Sequence, residues 1–180
     1  KIIIVLPDPI QRAYMHYMYL KNNRISSVAQ KYSFDDFIMK KTGSSEAKTL
    51  RNQLLITGHY ANHLTRWMSY YSPQQVMIIS DDDLMNRTRT VLDNIQDFVN
   101  IEKPVNYNQL LRYDTRVHMY CPINTNTVQD CYGYKNTHCN EMSKSARDYL
   151  QTYYEKHNKN LLRLNQKVQF SVPKWLKVYG

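Results

Sequence analysis

Ile2-Ile3-Ile4-Val5-Leu6, followed by Pro7-Asp8-Pro9-Ile10-Gln11-Arg12-Ala13-Tyr14, decides the fold. Five apolar residues in a row, mostly β-branched, read as a buried strand. Asp8 is a good helix N-cap, and Pro9 suits the first helical position, where a missing N–H leaves no intrahelical bond unmade. A strand therefore passes directly into a helix. The first turn of that helix carries free backbone N–H groups and the Arg12 guanidinium, a combination suited to phosphate or sulfate. The chain opens inside the strand without Met or a lead-in, which reads as a piece cut from a longer protein.

Outward from this stretch, Val76-Met77-Ile78-Ile79 reads as a second buried strand. Helices are expected over Pro9 to Leu20, over Ser33 to Met39 with Ser33 as cap, and from about Ser145 to Leu164. In the last, Ala146, Leu150, Tyr153, His157, Leu161 and Leu164 are expected to face inward. Tyr60, Leu64, Trp67 and Tyr71 share one helix face, and Val91, Leu92, Ile95, Phe98 and Val99 another. Strands separated by amphipathic helices predict an α/β fold with a parallel sheet flanked by helices. Two strands are too few for a complete sheet, and the others are expected upstream. No repeat or domain boundary stands out, so residues 1–180 read as one incomplete domain. Thr42 to Ser45 reads as a surface loop, and Cys121 to Glu141 as a long irregular one.

One hundred and eighty residues with 42% hydrophobic content suffice for a packed core. The net charge of +9 favours polyanionic partners: nucleic acid, an anionic membrane or a sulfated glycan. The sequence contains no helix-turn-helix, zinc-finger or ribonucleoprotein pattern, so nucleic acid is not expected. It contains no apolar run of membrane-spanning length either, so any anchor is expected outside this segment. Asn86-Arg87-Thr88 is an N-glycosylation sequon.

Several groups could carry chemistry. His59 and His63 stand four apart with Arg66 beside them; the set reads as a polar helix face able to touch a sulfated chain, not as a zinc site. Asp81-Asp82-Asp83 reads as a capped turn. Cys121, Cys131 and Cys139 lack zinc-knuckle spacing, and free thiols or a disulfide remain open. Lys41 to Ser45 imitates a phosphate loop, but it follows a helical segment where such a loop should follow a strand.

Asp8 to Tyr14 resembles the 3′-phosphate-binding segment of Golgi sulfotransferases. Gly58 to Trp67 and Gln75 to Ile79 resemble, more narrowly, the heparan sulfate N-deacetylase/N-sulfotransferase family. So do Cys121 and Cys131 with nine residues between them, Met142, Ser145 to Arg147, Tyr153 to Asn158, Leu161-Leu162 and Pro173 to Leu176. The segments run in order over nearly the whole chain.

The resemblance implies a P-loop-like sulfotransferase fold, N-terminally truncated. It implies 3′-phosphoadenosine 5′-phosphosulfate as donor, with no metal, and heparan sulfate or its precursor polysaccharide as partner. The glucosamine amine is the implied acceptor. The family's donor loop and base would lie upstream of Lys1, so no catalytic residue is expected in this chain, and the segment alone is expected not to transfer sulfate. Donor contacts are expected from Arg12, Met15, Tyr120, Lys135, Asn136, Thr137 and His138, and substrate contacts from His59, His63 and Arg66. The family has a Ser where Met15 stands, a Trp where Tyr120 stands and a more basic loop at Lys135 to His138. A thioether cannot donate a hydrogen bond to phosphate. The resemblance also implies a Cys121–Cys131 disulfide, worth about 3 kcal/mol by loop closure. It implies a Golgi-lumenal domain of a type II membrane protein. A heparan sulfate 3-O-sulfotransferase and a non-catalytic glycan-binding homologue are the alternative readings.

Overall fold

In the computed structural model Ile2–Leu6 forms β1 and Val76–Ser80 forms β2. They pair in parallel, from Ile2 opposite Val76 to Leu6 opposite Ser80. A parallel pair needs a long crossover, and here the helical residues between the strands supply it. The structure describes residues 1–39, 43–116, 119–123 and 142–180. They fall into two compact units.

The first unit comprises β1 and the chain from Ser72 through residue 123. A single 3-10 turn, Pro73–Gln75, leads into β2. Ser80 then caps α1, Asp81–Asn86, its hydroxyl accepting from Asp83 N at 3.0 Å. Asp81, Asp82 and Asp83 fill the first turn, where the helix dipole favours acids. Thr88–Val99 forms α2. Of its expected stripe, Val91 is buried and Val99 is exposed. Gln96 is buried instead, holding both backbone groups of Val105 with its amide. Leu111–Asp114 (β3) pairs antiparallel with Met119–Pro122 (β4), placing Tyr113 opposite Tyr120. Cys121 and Pro122, expected to be irregular, are instead strand residues, paired with Arg112 and Leu111; the rest of that expected loop, from residue 124 to 141, lies outside the described residues.

The second unit holds Pro7–Tyr71 and the C-terminal part of the chain. Its helices are α3 (Pro9–Asn22), α4 (Ser27–Lys31), α5 (Phe34–Ile38), α6 (Ser45–Ile56), α7 (Tyr60–Met68), α8 (Lys144–Val168) and α9 (Lys174–Lys177). Asp8 caps α3 by accepting from Ile10 N at 2.9 Å. Ser33 caps α5, and Ser44 caps α6. The core gathers Tyr17, Phe37, Leu54, Leu150 and Tyr154, all almost wholly buried.

The inward face of α8 is Ala146, Leu150, Tyr154, Asn158 and Leu161. The expected Tyr153 and His157 lie at the edge of that face, half-buried, because Tyr154 has the deeper anchor. Its hydroxyl donates to Leu55 O at 3.0 Å. Gly58 makes room for it: a Cβ there would come within 2.7 Å of the Tyr154 ring and hydroxyl.

Candidate functional site

The expected substrate residues lie around α7. His59 is the residue before the helix, and its ring stacks on His157 with centroids 3.5 Å apart and planes 8° apart. Its Nε2 lies 3.0 Å from the Tyr153 hydroxyl. Burial first, and then the neighbouring His157 and His63, push the His59 pKa down to about 4. Burial and Lys156 likewise lower that of His157. The two rings are thus held neutral and engaged with each other.

His63 and Arg66 are exposed. The His63 Nε2 lies 3.1 Å from Ile56 O. Together with Trp67, Tyr70 and Tyr71 they line an open groove of about 390 Å³. The structure therefore separates the three expected substrate residues: His63 and Arg66 share a groove, whereas His59 belongs to an aromatic stack with α8. Trp67, Tyr70 and Tyr71 are not among the site residues expected from sequence; the helical spacing puts Trp67 and Tyr71 on one face with Tyr60 and Leu64 and leaves Tyr70 out.

The expected donor residues are distributed over both units. Arg12 stands on α3 with its guanidinium turned inward, donating from Nη2 to Leu54 O at 2.5 Å. It also bears on the Tyr60 and Tyr154 hydroxyls. Burial raises the pKa of both, Tyr154 to about 12, and Arg12 opposes the rise. The Arg12 Nε is buried with no hydrogen-bond partner among the described residues. A motif reading sees Arg12 near a helix start, but it cannot see Leu54, forty-two residues away. Met15 is half-buried and packs against the apolar cluster that includes Tyr14, Phe34 and Leu150.

In the other unit, Tyr120 meets Tyr113 edge-on at 5.3 Å, and the Arg89 guanidinium lies 5.0 Å over its ring. Arg89 also donates to Leu111 O, tying α2 to β3. No local signal in the sequence links Arg89 to Tyr120. Cys121 is disulfide-bonded. Cys131, and with it the expected pairing, lies outside the described residues, as do Lys135, Asn136, Thr137 and His138.

Residues 1–161 match the family described as "Sulfotransferase domain". The chain belongs to the sulfotransferase domain family. It is 32% identical over 179 residues to the bifunctional heparan sulfate N-deacetylase/N-sulfotransferase 3 of Mus musculus, covering 98% of this chain and 20% of that protein. It is 33% identical over 180 residues to the corresponding Drosophila melanogaster protein, covering 98% of this chain and 17% of the relative. This sulfotransferase domain thus spans about a fifth of the length of the curated relatives it matches. Among solved structures, a sulfotransferase from Alicyclobacillus acidocaldarius superposes with a TM-score of 0.63 at 18% identity. That match covers 97% of this chain and 57% of the other, and it supports the α/β fold with a parallel sheet flanked by helices. Among the described residues no helix is long and apolar enough to cross a membrane.

Proposed function

We propose that this sulfotransferase domain serves the transfer of sulfate from 3′-phosphoadenosine 5′-phosphosulfate to the glucosamine amine of heparan sulfate or its precursor. The observation that carries this reading is the collinear likeness to heparan sulfate N-sulfotransferases over 98% of the chain. In such a transfer the amine nitrogen attacks sulfur in line, and the bond from sulfur to the phosphate oxygen breaks. 3′-Phosphoadenosine 5′-phosphate leaves, and the amine proton passes to a base. Catalysis rests on positioning and charge stabilisation. The chain's contribution is to donor and acceptor binding. Tyr120 offers a ring for adenine, with Arg89 fixing its orientation through a cation–π contact. Arg12 acts as a positioning residue, holding the start of α3 to the end of α6 through Leu54. A Golgi-lumenal setting fits the disulfide at Cys121.

Calorimetric titration of the chain with 3′-phosphoadenosine 5′-phosphate and with 5′-AMP tests the donor half. The bisphosphate is expected to bind about ten-fold or more tightly, the value of one charge-assisted contact. Equal affinities, or no binding of either, would contradict the reading. Loss of nucleotide binding with glycan binding retained would point to the non-catalytic homologue, for which Met15 in the Ser position is the motivating residue.

A further inference from the structure

The apolar stripe of α7 outruns the cover that the fold gives it. Tyr60 and Leu64 are buried, but Trp67, one turn further on, is 46% exposed, and beyond the helix Tyr70 is 76% exposed. The Trp67 and Tyr71 rings lie 5.6 Å apart at 32°, forming a continuous aromatic surface. Arg66 and His63 complete the groove, and no acidic residue lines it. Among the described residues the Arg66 carbonyl accepts from the Ser69 hydroxyl at 2.7 Å, while its guanidinium has no hydrogen-bond or ion-pair partner.

The chemistry of this surface selects its occupant. Its wall contains no aliphatic side chain, only a Trp and two Tyr whose flat faces suit the C–H faces of pyranose rings. Tyr hydroxyls and an arginine fork supply donors toward sugar oxygens and carboxylates, and the His63 Nδ1, with Nε2–H given to Ile56 O, accepts from sugar hydroxyls. A lone apolar patch would suit a protein partner equally well; the cation beside the aromatic wall, in a chain of net charge +9, suits an acidic sugar chain. We infer that the groove of His63, Arg66, Trp67, Tyr70 and Tyr71 is a subsite for an acidic, uronate-containing polysaccharide. Pyranose rings stack on Trp67 and Tyr71, and a carboxylate or sulfate pairs with Arg66. The inference rests on the proposed glycan substrate and specifies where this chain grips it, with His59 playing no part in the contact.

The chain holds two tryptophans, Trp67 and Trp175, so their indole N–H resonances report on two separate places. We would titrate the ¹⁵N-labelled chain with an unsulfated uronate–glucosamine hexasaccharide, and with neutral chitohexaose as control. The Trp67 signal should shift saturably with the acidic sugar while that of Trp175 stays still, and chitohexaose should bind more weakly. Arg66→Ala and Tyr70→Ala remove exposed side chains, so circular dichroism should match the parent. Each should weaken the acidic sugar about five- to ten-fold. An unmoved Trp67 signal, variants that bind like the parent, or equal binding of the neutral sugar would overturn the subsite. Titration of the same samples with 3′-phosphoadenosine 5′-phosphate separates the two readings. Nucleotide binding without a Trp67 response removes only the subsite; a Trp67 response without nucleotide binding removes the transfer reading.

Discussion

Burial sets the charge of His59. Its pKa falls to about 4 because partial burial against Tyr153 and His157 strips water from the ring, and the neighbouring His157 and His63 further disfavour a proton there. In the unfolded chain the same imidazole titrates near 6.5. The neutral form is the one that the fold favours. Its contribution to stability is therefore fully present above about pH 6.5 and is lost as pH falls toward about 4. His157, also lowered, acts in the same direction. Thermal melting from pH 7.5 to 4 should show the midpoint dropping through that window. His59→Gln should flatten the drop, whatever it does to the midpoint at pH 7.5. A parent curve flat below pH 6.5, or an unchanged slope in the variant, would contradict this assignment. The sequence places His59 and His63 on one helix face by spacing alone. It could not show that His59 precedes the helix and turns to α8, because that contact spans ninety-eight positions, from His59 to His157.

Among the elements, α8 was the most legible and still shows what periodicity leaves out. Its inward Ala146, Leu150 and Leu161 follow from the pattern, and it starts at Lys144, one residue before the expected Ser145, because Ser143 caps it by accepting from Ala146 N at 3.1 Å; it runs on to Val168, past the expected Leu164. The choice of Tyr154 over Tyr153 follows from Gly58 and Leu55 on other elements, which no local pattern reports. The C-terminal end of α8 is Gln169, with φ 56° and ψ 53°. A side chain in this left-handed region costs about 1 kcal/mol that glycine avoids. Gln169→Gly should therefore raise the melting temperature by about 2–4 °C, a typical shift per kcal/mol for a chain of this size. A lower melting temperature would show that the Gln169 side chain makes a stabilising contact outweighing its backbone strain. The short helices α4 and α9 and the β3–β4 pair went unread because they carry too few residues for a period to show.

For the molecule as a whole, the strand-to-helix passage at Leu6 to Pro9 and the parallel pairing of β1 with β2 were readable, because both depend on runs of residues adjacent in sequence. The family was readable from the order of its segments. The site was less so. Arg12 sits near a helix start as its motif implies, but its guanidinium lies on Leu54, and Met15 packs against an apolar cluster. Spacing puts Trp67 and Tyr71 on one apolar helix face, but it reports apolarity and not whether the fold supplies cover, and Tyr70 lies off that stripe. The central claim is that this chain serves transfer of sulfate to an amine of a heparan-type polysaccharide. Its most direct test supplies labelled donor and N-desulfated heparan to the full-length protein that contains this chain, followed by mild acid treatment. Sulfamates are cleaved by mild acid, whereas O-sulfates survive. Label incorporated into the polysaccharide and then released by the acid is the expected result; label that survives the acid, or no incorporation, would contradict N-sulfation.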